Sequence, residues 1–134
     1  MSDVDDAIKA AVLEAQKFTR KHLVVELDFS PHSLQELEGQ CDAVEYAIRG
    51  GKSPENVELL TRIWGAYLGE VLRRHVGGEW ARESDDKPDR LVLRTRHETL
   101  CPHEQVRQRL LGGPQHSLWD YFEKRRSAPQ SSLQ

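Results

Sequence analysis

Cysteine is scarce in this chain: Cys41 and Cys101 are the only two among 134 residues. A secreted domain of this size that leans on disulfides carries more of them, so both are expected as free thiols. Long apolar runs are missing too, and nothing approaches the ~20 residues of a membrane span. The acidic start, Met1-Ser2-Asp3-Val4-Asp5-Asp6, lacks the basic and apolar regions of a signal peptide, which points to the cytoplasm. No glycine-rich loop opens a helix. Gly77-Gly78 and Gly112-Gly113 instead follow apolar helical stripes, the wrong end for an anion site. No serine stands in a nucleophile elbow. Cys101-Pro102-His103, with His97 nearby, offers a thiol and two imidazoles, but a tetrahedral metal needs about four ligands. No metal, no cofactor and no catalytic residue is therefore assigned.

What the chain does have is charge. Charged residues make up 31% and apolar residues 37%, which predicts a small core beneath a heavily charged surface. The length predicts one domain, placed over residues 1–125, with a disordered tail at 126–134 rich in Ser, Pro and Gln. The charge is split: residues 1–86 carry −7 and residues 87–134 carry +4. A basic last third can meet an acidic partner or nucleic acid. The arginines for nucleic acid would be Arg90, Arg94, Arg96, Arg107 and Arg109. No aromatic-interleaved basic strand accompanies them, so nucleic acid is not the leading expectation.

Val4, Ile8, Ala11, Val12, Ala15 and Phe18 recur at helical spacing and predict a helix from Asp3 to His22. Leu23 to Phe29, with β-branched Val24 and Val25, reads as a short strand. Ser30-Pro31 opens a second helix, the serine capping and the proline standing where no donor is needed. Its seam is Leu34, Leu37, Cys41, Val44 and Ile48, and Gly50-Gly51 ends it. Ser53-Pro54 repeats the opening for a third helix with a wide apolar face, expected at the centre of the fold. Inside it Gly65 and Gly69 share a face; each costs about 1 kcal/mol against alanine. The expected return is close packing within the fold, with a homodimer seam as the alternative. After Gly77-Gly78 come a strand at 79–82, a polar turn at 84–89 and a strand at 90–96. Leu91, Leu93 and Thr95 should face one way; Arg90, Val92, Arg94 and Arg96 the other. A third strand is expected within 97–101. Pro102 then starts a helix with Val106, Leu110 and Leu111 inward, and Pro114 a last short helix bearing Leu118, Trp119, Tyr121 and Phe122.

The sharpest candidate for function is Glu70, a lone carboxylate among apolar and small residues. Burial would raise its pKa unless it finds a cation, and Arg73 and Arg74 lie one turn on. An ordinary ion pair, or a buried anchor to strand backbone, competes with a functional role. His75 is expected to serve the end of its helix, and Asp28 the start of the second helix. Trp64, Trp80 and Trp119 read as core anchors, unless Trp80 and Trp119 share an exposed surface.

Leu27-Asp28-Phe29-Ser30-Pro31-His32-Ser33-Leu34, Gly65-Ala66-Tyr67-Leu68-Gly69-Glu70 and Gly77-Gly78-Glu79-Trp80 together resemble a bacterial domain-of-unknown-function family. The shared blocks are L-D-x-S-x-x-S-L, G-A-Y-x-G-E and G-G-x-W. The resemblance covers about residues 20–125; it implies an α+β fold and a bacterial origin, and carries no activity or catalytic residue.

The expectation is thus a single α+β domain: three N-terminal helices, an antiparallel sheet of three or four strands, and one or two C-terminal helices. The function expected is a non-catalytic protein-binding module, an immunity or regulatory protein that neutralises a cognate bacterial toxin or enzyme. The binding residues put forward are Glu70, Arg73, Tyr67, Trp80, Arg94, Arg96 and Trp119. The alternative is a small enzyme or ligand-binding domain using Glu70 in an internal pocket. The partner is expected to be a protein rather than nucleic acid or membrane, and the chain itself a monomer or homodimer.

Overall fold

The computed structural model describes residues 3–127. Three helices, α1 (Asp3–Leu23), α2 (Pro31–Ala47) and α3 (Pro54–His75), precede a hairpin of β1 (Glu79–Ser84) and β2 (Lys87–Arg94). A two-residue β3 (Thr99–Leu100), α4 (Pro102–Gly112), a 3-10 turn at Pro114–His116 and α5 (Leu118–Arg126) complete the α+β arrangement. The sheet is antiparallel throughout, in the order β1-β2-β3. No helix among the described residues is long and apolar enough to cross a membrane. Arg126 closes α5, and residues 128–134 of the expected tail lie outside the described residues.

The helix boundaries follow from local chemistry. Three aspartates occupy the first turn of α1 and Arg20, Lys21 and His22 the last, matching the helix dipole at both ends. Ser30 Oγ accepts from Ser33 N–H, and Ser53 Oγ from Asn56 N–H, so both Ser-Pro pairs cap as expected. Past α2 the chain turns through Gly50 and Gly51, at φ +90° and +56°.

The core is built around α3. Every residue from Ile63 to Gly69 is buried, and Val71 and Leu72 follow. Each fully buried large apolar side chain here contributes roughly 1.5–3 kcal/mol. The two helical glycines make room inside the fold. A Cβ at Gly65 would collide with the backbone and ring of His103, and one at Gly69 with the Trp80 indole. The close packing is therefore against α4 and β1. Trp64 is fully buried, and its indole N–H is satisfied by Thr19 Oγ1 at 3.0 Å.

Four local expectations are corrected. The segment 23–29 is not a strand. Val25 and Leu27 are buried and alternate with exposed residues, but no neighbouring strand offers a ladder. The Leu27 carbonyl is met instead by Gln16 Nε2 at 2.8 Å, and positive φ at Val24 and Phe29 bends the path at both ends. The hairpin turn is only Asp85-Asp86, so β2 begins at Lys87 and stops at Arg94. The pairing shifts register between Arg82 and Ser84, opposite Pro88, which brings no donor to the ladder. Val92, assigned with the arginines to an outer face, is 2% exposed beside fully buried Leu93, so both faces of β2 are covered at this level. Leu111 is exposed: it stands about 100° around α4 from buried Leu110, and the inward position goes to Arg109.

Candidate functional site

Two grooves flank α1. The one holding Glu70 has a volume of about 720 Å³ and runs between α1, the end of α3 and the start of β1. Ile8, Val12 and Leu13 form its apolar side, Phe29 and Trp80 its aromatic side. Six charged side chains line it: Lys9, Arg73 and Arg74 against Asp5, Glu70 and Glu79.

Glu70 sits at the junction with a side chain only 12% exposed. Arg73 grips both its oxygens, Nε at 3.0 Å from Oε2 and a terminal nitrogen at 2.7 Å from Oε1. Trp80 Nε1–H donates to Oε2 at 3.0 Å. Burial alone would raise the Glu70 pKa, but the hydrogen bonds from Arg73 and Trp80 outweigh it, and the carboxyl lies below its usual range. The cation that the sequence called for is supplied on the same helix, and the same contact raises Arg73. Trp80 reaches Glu70 because Gly69 leaves its ring a place to lie.

Arg74 is bound differently. Its guanidinium carbon lies 3.6 Å from the centre of the Phe29 ring, and its Nε stays 3.7 Å from Glu70 Oε1, outside hydrogen-bond reach. Phe29 has φ +68°, a conformation that costs a non-glycine residue on the order of 1–3 kcal/mol. Its backbone is pinned at both polar atoms. The N–H donates to Tyr67 Oη at 2.7 Å, and the carbonyl accepts from His75 Nε2 at 2.9 Å. Ser33 Oγ donates to the Ser30 carbonyl, so Tyr67 gives its own proton to Ser33 Oγ, 2.5 Å away. Burial raises the Tyr67 pKa and keeps this relay neutral.

Of the residues put forward for binding, Glu70, Arg73 and Trp80 come together in the groove. Tyr67 is fully buried behind it and positions Phe29. Arg94, Arg96 and Trp119 do not line it. Arg94 bonds back to the Arg82 and Glu83 carbonyls, Arg96 is exposed after β2, and Trp119 packs half-buried on Phe122. Trp80 thus lines the groove and Trp119 does not. His75 stands in the last turn of α3, as expected, and its Nε2 also serves the Phe29 carbonyl. Asp28 does serve α2: its carboxylate accepts from Ser30 Oγ and N–H, which lowers its pKa. Sequence reasoning missed Phe29 and Leu13 as groove residues. The available signal was Phe29 directly before a helix cap, where a bent backbone can lift a side chain out of the core.

The second groove, of about 910 Å³, lies between α1, α3, β2 and α4 and contains Cys101 and His103. Burial pushes His103 down to about 4 and raises the Cys101 thiol, so the pair forms no thiolate–imidazolium. Cys41 and Cys101 are both free, and burial pushes Cys41 up to about 12. No group of three or more His, Cys, Asp or Glu among the described residues is placed to hold a metal ion.

Arg109 departs furthest from expectation. Grouped with the nucleic-acid arginines, it is 2% exposed and ties α4 to α2. It bonds Glu38 at 2.7 Å and both Asp42 oxygens at 3.0 Å, while the second Glu38 oxygen accepts from Leu118 N–H at 2.7 Å. Arg90 is also engaged, with Glu83 at 2.9 Å. The basic set is thus dispersed and partly spent on internal pairs. No family model, curated protein or solved structure matches this chain.

Proposed function

We propose that this chain is a non-catalytic protein-binding module, acting in the cytoplasm, that docks its partner in the groove between α1 and the end of α3. The observation that carries the reading is the groove wall: Leu13, 53% exposed, lines it together with Phe29, Arg74 and Trp80. Tryptophan and arginine dominate binding energy at protein interfaces, and exposed apolar area beside them is what a partner covers. Glu70 has no part in acid–base chemistry on this reading, because a carboxylate held ionised with both oxygens engaged has no proton to give. The balanced charges of the groove favour specificity over bulk attraction. From the split charge of the chain, the partner proposed is a cognate bacterial enzyme or toxin that this protein blocks.

The test is affinity capture from native lysate with three tagged proteins: wild type, Leu13→Arg, and Leu111→Arg as an exposed leucine outside the groove. Wild type and Leu111→Arg should retain one stoichiometric protein that Leu13→Arg loses, with all three melting alike. The reading fails if wild type holds no protein, or if Leu13→Arg holds it as well as wild type does.

A further inference from the structure

Arg74 has more donors than the molecule uses. A guanidinium carries five N–H groups, yet the ion pair of Arg74 with Glu70 is long, 3.7 Å from Nε to Oε1, and its side chain is 47% exposed. The nearest carboxylate, Glu70, already accepts from Arg73 and Trp80. The Phe29 ring beneath the guanidinium carbon holds the group by its face and does not cover the edge along which the donors point. Phe29 cannot drift, since Tyr67 and His75 hold its backbone on both sides. An arginine stacked in this way is pre-organised for a two-point contact with an oxyanion.

The charge around it selects the oxyanion. Three cations and three anions line the groove, so it offers directed donors without a surplus positive field. With Lys9, Arg73 and Arg74 already balanced by Asp5, Glu70 and Glu79, a carboxylate, bringing one charge, upsets the balance less than a dianionic phosphate does. The apolar side formed by Ile8, Val12 and Leu13 receives whatever stands next to that carboxylate. We propose that Arg74, held on the Phe29 ring, binds an acidic side chain of the protein partner whose apolar neighbour covers Leu13. Phe29, Tyr67 and His75 are positioning residues for this contact. The inference rests on the groove being the docking site and adds the chemistry of what docks there.

The experiment is an NMR titration of the full chain with the blocked peptide Leu-Glu-Leu, and with versions carrying Gln or phosphoserine in place of Glu. The Glu peptide should give saturable shifts at the Arg74 Nε–Hε and Gly78 amide resonances, with Kd in the range of about 1–10 mM for so small a probe. The Gln peptide should bind at least about tenfold more weakly, and Arg74→Lys should weaken the Glu peptide about as much. Phe29→Leu should weaken it and Phe29→Tyr preserve it, while Arg96→Lys changes nothing. Absence of saturable shifts, equal binding of the Gln peptide, or indifference to Arg74→Lys overturns the inference. Tighter binding of the phosphoserine peptide overturns the choice of a carboxylate. If the Glu peptide fails while Leu13→Arg still loses the captured protein, this inference falls and the docking reading stands. If the peptide binds through Arg74 while Leu13→Arg keeps the protein, the docking reading falls instead.

Discussion

The protein contains two arginine–carboxylate clusters with opposite stoichiometry. Around Arg109, one guanidinium faces two carboxylates, Glu38 and Asp42, with Lys52 Nζ 4.0 Å from the latter. Beside the groove, one carboxylate, Glu70, faces two guanidiniums, Arg73 and Arg74. In the first, Arg109 is buried and bonded to both acids, joining α2 to α4, while Glu38 reaches on to the start of α5. The Asp42 hydrogen bond raises Arg109 further above its already high pKa and holds Asp42 low. In the second, one arginine saturates the carboxylate and the other is left on an aromatic ring at the surface. The same residue types make a staple where two acids close on one buried arginine and a receptor where two arginines share one acid. What separates them is which charge is left over and whether water reaches it.

Removing Arg109 is expected to have the largest effect. Arg109→Ala leaves a cavity and takes the guanidinium from Glu38, whose side chain is 19% exposed, while Asp42 stays in water beside Lys52; unfolding stability should fall by about 3 kcal/mol in a denaturant titration. A loss below about 1 kcal/mol would class the cluster with ordinary surface pairs and dissolve the contrast. Next comes Gly69→Ala, which improves helix propensity yet drives a methyl into the Trp80 ring. A net loss of about 2 kcal/mol is expected, with red-shifted tryptophan emission as the indole leaves Glu70.

The pH profile sharpens the comparison further. His103 touches the Trp80 ring edge-on and titrates at about 4, against an ordinary 6.5. Between those values the unfolded chain takes up a proton that the folded chain refuses. Stability should therefore fall as pH drops from 6.5 to 4, by about 3 kcal/mol, and His103→Phe should flatten that span. At lower pH the depressed carboxylates take over. Their contribution is complete above their unfolded pKa values and is lost as pH falls through the lower folded ones. Glu70→Gln and Asp42→Asn should each flatten part of this acid limb, showing how much belongs to each cluster. The smallest effect is expected from Arg74→Ala, a loss within about 1 kcal/mol in thermal unfolding, since an exposed cation–π contact is worth little. A loss as large as that from Arg109→Ala would make Arg74 structural and remove the basis for a receptor.

Much of the scaffold was legible because its causes are local. Ser30-Pro31 and Ser53-Pro54 cap two helices through atoms three residues apart. Glu70 and Arg73 meet through i,i+3 geometry. The central place of α3 follows from the width of its apolar face, and the tight packing at Gly65 and Gly69 from the cost of glycine inside a helix. The misreadings share another origin. The alternation of 24–28 is present, but a strand needs a neighbour, and none lies beside it. Arg109 carries no mark separating it from Arg107; its burial depends on Glu38 and Asp42 arriving from α2.

The sequence by itself determined the helices, their caps, the hairpin and the pair that keeps Glu70 ionised, because these rest on contacts within a few positions along the chain. Only the tertiary structure decided that Phe29 lies beneath Arg74, that Trp80 completes the shell of Glu70, and that Arg109 is a staple. Each of those depends on side chains brought together from distant segments. Their meeting is set by how the helices and the hairpin pack, and that is a property of the whole core.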